Sequence, residues 1–110
     1  MSEPVTELKI EDIEQGTGDV CQPSATVKVH YTGTLMDGTK FDSSHDHGEP
    51  IEFPLDNLIE GWQRGIPGMK VGGTRRLTIP YAMGYGERGA PPSIPPRADL
   101  IFDIELLGVR

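Results

Sequence analysis

The chain has 110 residues and a formal net charge of −7, with 35% hydrophobic and 25% charged residues. That length suits one small domain, and an acidic chain is a poor ligand for nucleic acid, which is bound largely through Lys and Arg contacts to phosphates. The basic pair Arg75-Arg76 is too small to reverse this. We predict one domain over residues 1–110, with residues 1–5 as a loose N-terminal extension and no nucleic-acid partner.

The cysteine content and the N-terminus limit the cellular setting. Cys21 is the only cysteine, so neither an internal disulfide nor a multi-cysteine zinc site can form. The first residues are acidic and polar, whereas a signal peptide begins basic and then becomes apolar. No apolar stretch approaches the roughly 18 residues that a membrane span requires. We therefore expect a cytoplasmic protein with no membrane segment.

Alternation of apolar and polar residues predicts half-buried antiparallel strands. In Thr26–Leu35, for example, Val27 and Val29 point to one face and Lys28 to the other. Asp37-Gly38 predicts a hairpin turn, after which residues 40–42 begin the returning strand. The other predicted strands are residues 8–13, 75–79 and 99–107.

Residues 56–64 are the one segment with a helical pattern, because Leu58, Ile59 and Trp62 fall on one helical face and Gly65 follows as a stop signal. A helix of about nine residues is unstable alone and must pack against the sheet. The predicted fold class is therefore α+β, an antiparallel sheet of about five strands around one short helix. Residues 81–97, rich in proline and glycine, predict a long loop of the kind that is usually functional.

The common enzyme signatures are missing from the sequence. It contains neither a phosphate-binding Gly-rich loop before Lys-Ser/Thr nor a Gly-x-Ser-x-Gly motif. Residues 43–47 (SSHDH) bring Ser, His and Asp together, but closeness in sequence is not the geometry of a catalytic triad. His45 and His47 are more typical of solvent-facing loop residues than of metal ligands. We predict no nucleophilic catalysis, no metal site and no cofactor.

The seven aromatic residues are unusual in their placement. Tyr85 lies between Gly84 and Gly86 in the long loop, and Trp62 follows Gly61. Aromatic residues beside glycines and loops are plausible walls of a ligand pocket. Ordinary core packing remains the alternative, above all for Phe53 and Trp62. Periodicity alone thus predicts an α+β domain with an aromatic cleft.

Several short motifs, in a fixed order and spacing, carry a resemblance that covers about residues 6–109. The chain resembles the FKBP-type peptidyl-prolyl isomerases, the immunophilins that bind tacrolimus and rapamycin. The motifs are residues 29–35 (VHYTGTL), 37–44 (DGTKFDSS), 60–62 (EGW), 68–72 (GMKVG), 85–86 (YG), 94–96 (IPP) and 100–102 (LIF).

The resemblance implies a strongly twisted antiparallel sheet wrapped over one short helix and a prolyl isomerase activity. It further implies a monomer that acts on proline-containing peptides and unfolded proteins and binds macrolides in the same pocket. The catalytic residues it implies are Tyr31, Asp42, Tyr85 and Phe102. The substrate-binding residues it implies are Phe41, Phe53, Leu58, Ile59, Trp62 and Ile94.

Within that implied site, Trp62 forms the floor under a proline ring, with Tyr31, Phe41 and Phe102 as walls. The backbone N–H of Ile59 and the hydroxyl of Tyr85 bond the carbonyls that flank the proline. For Asp42 two interpretations stay open. It either orients the hydroxyl of Tyr31, or it is a turn carboxylate that caps backbone N–H groups.

The chain departs from the family at the rim of the implied pocket. His47 replaces a base that the family usually carries, which makes a salt bridge to Asp42 weaker or pH-dependent. Ile51 stands where an aromatic residue is common, and residues 90–93 (APPS) replace a glycine-rich stretch. The alternative function is a proline-directed binding module, in which the same pocket docks a partner and turnover is incidental.

Overall fold

The computed structural model describes residues 6–110, so the expected loose extension at residues 1–5 lies outside the described residues. Strands and one short α-helix form the framework of the described chain. They are β1 (Lys9–Glu14), β2 (Thr26–Leu35), β3 (Lys40–Ser43), β4 (Ile51–Pro54), α1 (Glu60–Gly65), β5 (Thr74–Ile79) and β6 (Leu100–Val109). None of the helices within residues 6–110 combines the length and the apolar character that crossing a bilayer requires.

The strands form one antiparallel sheet in the order β1-β5-β6-β2-β3, with β4 pairing to β2. The two ten-residue strands β2 and β6 lie at its centre and pair from Val27↔Val109 to Leu35↔Leu100. The opposite edge of β2 is shared, since β4 pairs with its first half and β3 with its second half. This architecture confirms the predicted α+β fold of an antiparallel sheet with one short helix.

The core lies on the face of the sheet that carries the helix. Along β6 the alternate residues Leu100, Phe102, Ile104 and Leu106 are buried, as the period-2 pattern predicts. Burial of such apolar side chains contributes roughly 1.5–3 kcal/mol each. The central strand is therefore both the scaffold of the fold and the support of any side chain that projects from the same face.

Two glycines allow the helix to lie close to the sheet. A Cβ atom at Gly61 would come within 2.6 Å of the Ile79 side chain, and one at Gly65 within 2.6 Å of Leu77. Both positions would overlap side chains of β5, since real Cβ atoms do not approach this closely. The glycine beside Trp62 thus sets how near the indole lies to the sheet.

The prediction of a helix over residues 56–64 is wrong at its start. The α-helix begins at Glu60, Leu55–Asn57 form a 3-10 turn, and Leu58 and Ile59 are extended. Leu55 is fully buried and its N–H bonds to the carbonyl of Ala25, which fixes this turn. Leu58 and Ile59 therefore do not share a helical face with Trp62. They lie in the extended segment that leads into the start of the helix.

The other predicted elements agree with the structure within one or two residues, and the strand Thr26–Leu35 agrees at both ends. Strand β4 was not predicted, because its four residues directly follow Pro50, end in Pro54 and are too few to show alternation. Residues 81–97 are largely irregular, as expected. They include a 3-10 turn at Tyr81–Met83 and an isolated bridge between Ala90 and Ile94.

Candidate active site

A pocket of about 170 Å³ lies between the helix and one end of the sheet. A water molecule needs roughly 10–15 Å³ by the same measure, so the pocket admits a much larger group. Its lining comes from β2 (Tyr31), β3 (Phe41, Asp42), β4 (Ile51, Phe53), the segment before α1 (Leu58, Ile59), α1 (Trp62), the long loop (Tyr85) and β6 (Phe102).

The pocket is buried at its base and open at its rim. Trp62 and Phe102 expose only 4% and 3% of their surface, whereas Phe53 and Tyr85 expose 46% and 41%. A ligand that enters from the rim would therefore meet apolar rings that are already shielded from water. This gradient is typical of sites that bind an apolar group deeply and a polar chain at the surface.

Nine of the ten residues implied by the resemblance line this pocket, and the tenth, Ile94, does not. Ile94 is 4% exposed and belongs to the hydrophobic core. Ile51, which the sequence placed at the rim as a departure from the family, is among the lining residues. The pocket therefore forms without Ile94 in its lining.

The aromatic rings at the base contact one another edge to face around Phe102. The ring of Phe102 lies 5.2 Å from Trp62 at 87° and 5.5 Å from Phe41 at 88°. Tyr31 meets Trp62 at 5.3 Å and 78°. Edge-to-face pairs at these distances are favourable by about 0.5–1.5 kcal/mol each beyond their burial. The rings consequently stabilise one another at the base of the pocket.

Gly33 is a supporting residue that sequence reasoning missed. A Cβ atom at this position would lie 2.6 Å from Phe41 and 2.7 Å from Phe102. Gly33 pairs with Phe102 across the two central strands, so both rings pack over its bare backbone. The signal was present in residues 29–35, where a glycine interrupts an otherwise regular strand, since such a glycine often marks a close approach.

The polar part of the pocket is centred on Asp42. Its Oδ2 accepts a hydrogen bond of 2.5 Å from the hydroxyl of Tyr31, and its Oδ1 accepts one of 2.9 Å from the backbone N–H of Ser43. His47 Nε2 lies 3.6 Å from the same Oδ1, in an exposed position. The structure thus contains both arrangements considered for Asp42, the contact to Tyr31 and the capping of a backbone N–H.

Both tyrosine hydroxyls in the pocket are held in their protonated form. Burial raises the pKa of Tyr31 well above its ordinary value, and the hydrogen bond to Asp42 and the charge of that carboxylate raise it further. Burial and the charge of Asp42 also raise the pKa of Tyr85. Each group therefore remains a hydrogen-bond donor across the physiological pH range.

Ile59 offers a donor from the backbone. It is the N-cap of α1, with φ −62° and ψ 154°, and its carbonyl accepts the N–H groups of Trp62 and Gln63. Its own N–H makes no hydrogen bond to another described residue. Because helix starts leave N–H groups without intrahelical partners, Ile59 presents a donor beside the indole of Trp62.

Two further polar features complete the description of the site. Within residues 6–110 the buried indole Nε1 of Trp62 has no hydrogen-bond partner. The described residues also contain no group of three or more His, Cys, Asp or Glu side chains that could hold a metal ion. What the arrangement offers chemically is an apolar cavity with a few hydrogen-bond donors.

Comparison with known proteins places this pocket in a family. Residues 18–107 match the family described as FKBP-type peptidyl-prolyl cis-trans isomerase. The chain belongs to this family. It is 52% identical over 104 residues to the FK506-binding protein of Neisseria meningitidis serogroup A, a match that covers 93% of the chain and 95% of that relative.

Solved structures agree with this assignment. The crystal structure of FkpA from Escherichia coli superimposes with a TM-score of 0.89 at 44% identity, over 98% of this chain and 51% of that one. The crystal structure of AtFKBP13 superimposes with a TM-score of 0.87 at 38% identity, over 94% and 93% of the two chains. The family resemblance inferred from the motifs is thereby confirmed.

Proposed function

We propose that this protein accelerates the cis–trans isomerisation of X-Pro peptide bonds in flexible or unfolded polypeptides, without a cofactor. One observation carries the proposal, namely the pocket whose lining combines edge-to-face aromatic rings with the protonated hydroxyls of Tyr31 and Tyr85. Membership of the FKBP-type family supports the proposal.

The chemistry of the reaction fits such a pocket. Rotation about an X-Pro bond breaks no σ bond, yet amide resonance gives it a barrier of about 18–20 kcal/mol. The planar amide is more charge-separated than the twisted one, so water stabilises the ground state more than the transition state. An apolar cavity removes part of that preference, and each ~1.4 kcal/mol gained at the transition state is a tenfold increase in rate.

The lining residues then take distinct roles. The proline ring lies over the indole of Trp62, with the rings of Tyr31, Phe41 and Phe102 beside it. The backbone N–H of Ile59 and the hydroxyl of Tyr85 bond the carbonyls on either side of the proline. Because the N–H of Ile59 is fixed at the start of α1, little ordering of this donor is required when the substrate binds.

Asp42 acts on the reaction through Tyr31. Its carboxylate accepts the phenol hydrogen at 2.5 Å and so fixes the orientation of that ring in the pocket wall. The negative charge near the cavity also adds a field that acts on the amide as its charge separation changes. Both effects require the charge and position of Asp42 rather than proton transfer.

We further propose that macrolides such as tacrolimus and rapamycin bind in the same pocket. The apolar base and exposed rim support this, and the relative from Neisseria meningitidis carries the name FK506-binding protein. At the rim, Ile51 offers less surface than an aromatic ring would. We therefore expect a lower macrolide affinity than an aromatic residue at position 51 would give.

The test is an assay of cis–trans exchange in a short X-Pro peptide, with and without a macrolide. We expect acceleration by the protein and its loss when the macrolide is present. A protein that binds the peptide yet leaves exchange at its spontaneous rate would instead be a proline-directed binding module.

A second experiment tests the rim of the pocket. Replacing Ile51 by Phe should strengthen macrolide binding, whereas an unchanged affinity would contradict the proposed role of the rim.

A further inference from the structure

The outer edge of β2 has a gap at His30 and Tyr31. Strand β4 pairs with residues 26–29 of β2, and β3 pairs with residues 32–34. No strand of the described chain covers the two residues between them on that edge. Tyr31 is therefore held by a strand on one side only, where it pairs with Ile104 of β6.

Two serine hydroxyls bond the backbone groups of Tyr31 that no strand pairs with on this edge. Ser44 Oγ accepts the backbone N–H of Tyr31 at 2.7 Å, and Ser43 Oγ donates to the Tyr31 carbonyl at 3.1 Å. Both serines are buried, Ser43 with 2% and Ser44 with 0% of its surface exposed. Without them the backbone of Tyr31 would have unsatisfied polar groups in a buried setting, which is costly.

These serines directly follow Asp42, so three consecutive residues hold one tyrosine. Asp42 bonds the phenol of Tyr31, while Ser43 and Ser44 bond its backbone. His30 Nδ1 lies 2.9 Å from Ser44 Oγ and keeps that hydroxyl directed toward the edge of β2. The short segment that carries the carboxylate is thereby kept in register with the ring it bonds.

We propose that Ser44 is a positioning residue of the isomerase, which fixes the backbone of Tyr31 so that its hydroxyl meets Asp42 and its ring stays in the pocket wall. This inference rests on the proposed function only for its effect on rate. Its structural part concerns the contact between Tyr31 and Asp42 and can be measured without any substrate.

Loss of the Ser44 hydroxyl should displace Tyr31 by a small distance. Displacements of about 1 Å can reduce rates by up to roughly a hundredfold. Since Ser43 would still hold the carbonyl of Tyr31, we expect Ser44→Ala to lower kcat/KM on the order of tenfold. In a Tyr31→Phe background the same substitution should lower kcat/KM by a clearly smaller factor, because no phenol remains to bond Asp42.

The first experiment measures kcat/KM for Ser44→Ala, Tyr31→Phe and the double variant. Cys21→Ala is the matched control, since Cys21 is equally buried and lies outside the pocket lining. An equal loss from Ser44→Ala in both backgrounds, or a loss no larger than that of Cys21→Ala, would overturn the inference. If Ser44→Ala does not fold, Ser44→Cys gives the same comparison, because a thiol is only a weak acceptor.

The second experiment reads the contact directly by following tyrosinate absorbance as the pH rises. In the wild-type protein burial raises the pKa of Tyr31, and the hydrogen bond to Asp42 and the charge of that carboxylate raise it further. Ser44→Ala should move this titration toward that of an ordinary tyrosine, with Tyr31→Phe identifying the signal. An unchanged titration would refute the positioning role even in a fully active enzyme. A wild-type protein without activity would refute the proposed function alone.

Discussion

The hydroxyl of Tyr31 donates to Oδ2 of Asp42 across the two strands that form one wall of the pocket, at 2.5 Å. The two residues come from β2 and β3, on either side of the hairpin turn at Asp37-Gly38. Hairpin geometry therefore brings together the carboxylate and a ring that contacts Trp62. This pair links the local turn of the chain to the shape of the cavity.

Asp42→Asn should lower kcat/KM several-fold while leaving the fold intact. The amide oxygen can still accept the phenol hydrogen, but the charge that strengthens this bond is gone. The same variant should lower the pKa of Tyr31, since Asp42 raises it through both hydrogen bonding and charge. Peptide kinetics and a spectroscopic titration check the two effects. An unaltered kcat/KM would show that Asp42 has no role in the reaction.

The raised tyrosine pKa values predict a loss of stability in alkaline solution. Tyr31 and Tyr85 bind their protons more tightly in the folded protein than in the unfolded chain. The stability that these bound protons give to the folded protein is therefore complete below the ordinary tyrosine pKa of about 10. It is lost as the pH rises above that value. Denaturant unfolding between pH 9 and about 11 should show this decline.

Tyr31→Phe supplies the control for that measurement. Because phenylalanine has no proton to lose, the decline in unfolding free energy above about pH 10 should become shallower in this variant. The same slope in both proteins would show that the folded state does not restrain the ionisation of Tyr31.

Gly33→Ala should damage the pocket more than the fold. The added methyl group would lie 2.6 Å from Phe41 and 2.7 Å from Phe102, so one or both of these lining rings must shift. Overpacking of this kind costs about 1–3 kcal/mol of stability. Substrate affinity and macrolide affinity should fall together, measured by KM and by equilibrium binding.

Gly108→Ala is the matched control, because it adds a methyl group to the central strand β6 with only an ordinary contact to Lys28 at 3.8 Å. Its activity should equal that of the wild type. Equal activity of the Gly33 variant would contradict the role assigned to the bare backbone under Phe41 and Phe102.

Much of the fold could be predicted from period-2 alternation, because a half-buried strand alternates apolar residues on its buried face with polar residues on its exposed face. Thr26–Leu35 is the clearest case. The start of the helix did not follow, since Leu58 and Ile59 have helical spacing but are drawn into an extended path by the buried turn at Leu55. That path depends on a contact with Ala25, which no local pattern reveals.

The pocket was located from motifs rather than from periodicity. Aromatic residues next to glycines indicated a cleft, and the family pattern then named its walls. A glycine inside a regular strand marked Gly33 as a place of close approach, but the sequence did not show that Phe41 and Phe102 are its partners. Ser44 gave no such signal, because its role depends on which strands meet at the edges of β2. Ile94 is the reverse case, since its motif matched the family but its side chain does not line the pocket.

The central claim is that the pocket over Trp62 catalyses rotation about prolyl bonds. Its most direct test is the equilibrium exchange rate between the cis and trans forms of an X-Pro peptide, which unaided takes tens to hundreds of seconds. We predict exchange that quickens in proportion to added wild-type protein and slows again with a macrolide. Exchange that stays at the spontaneous rate with folded protein in excess would contradict the claim.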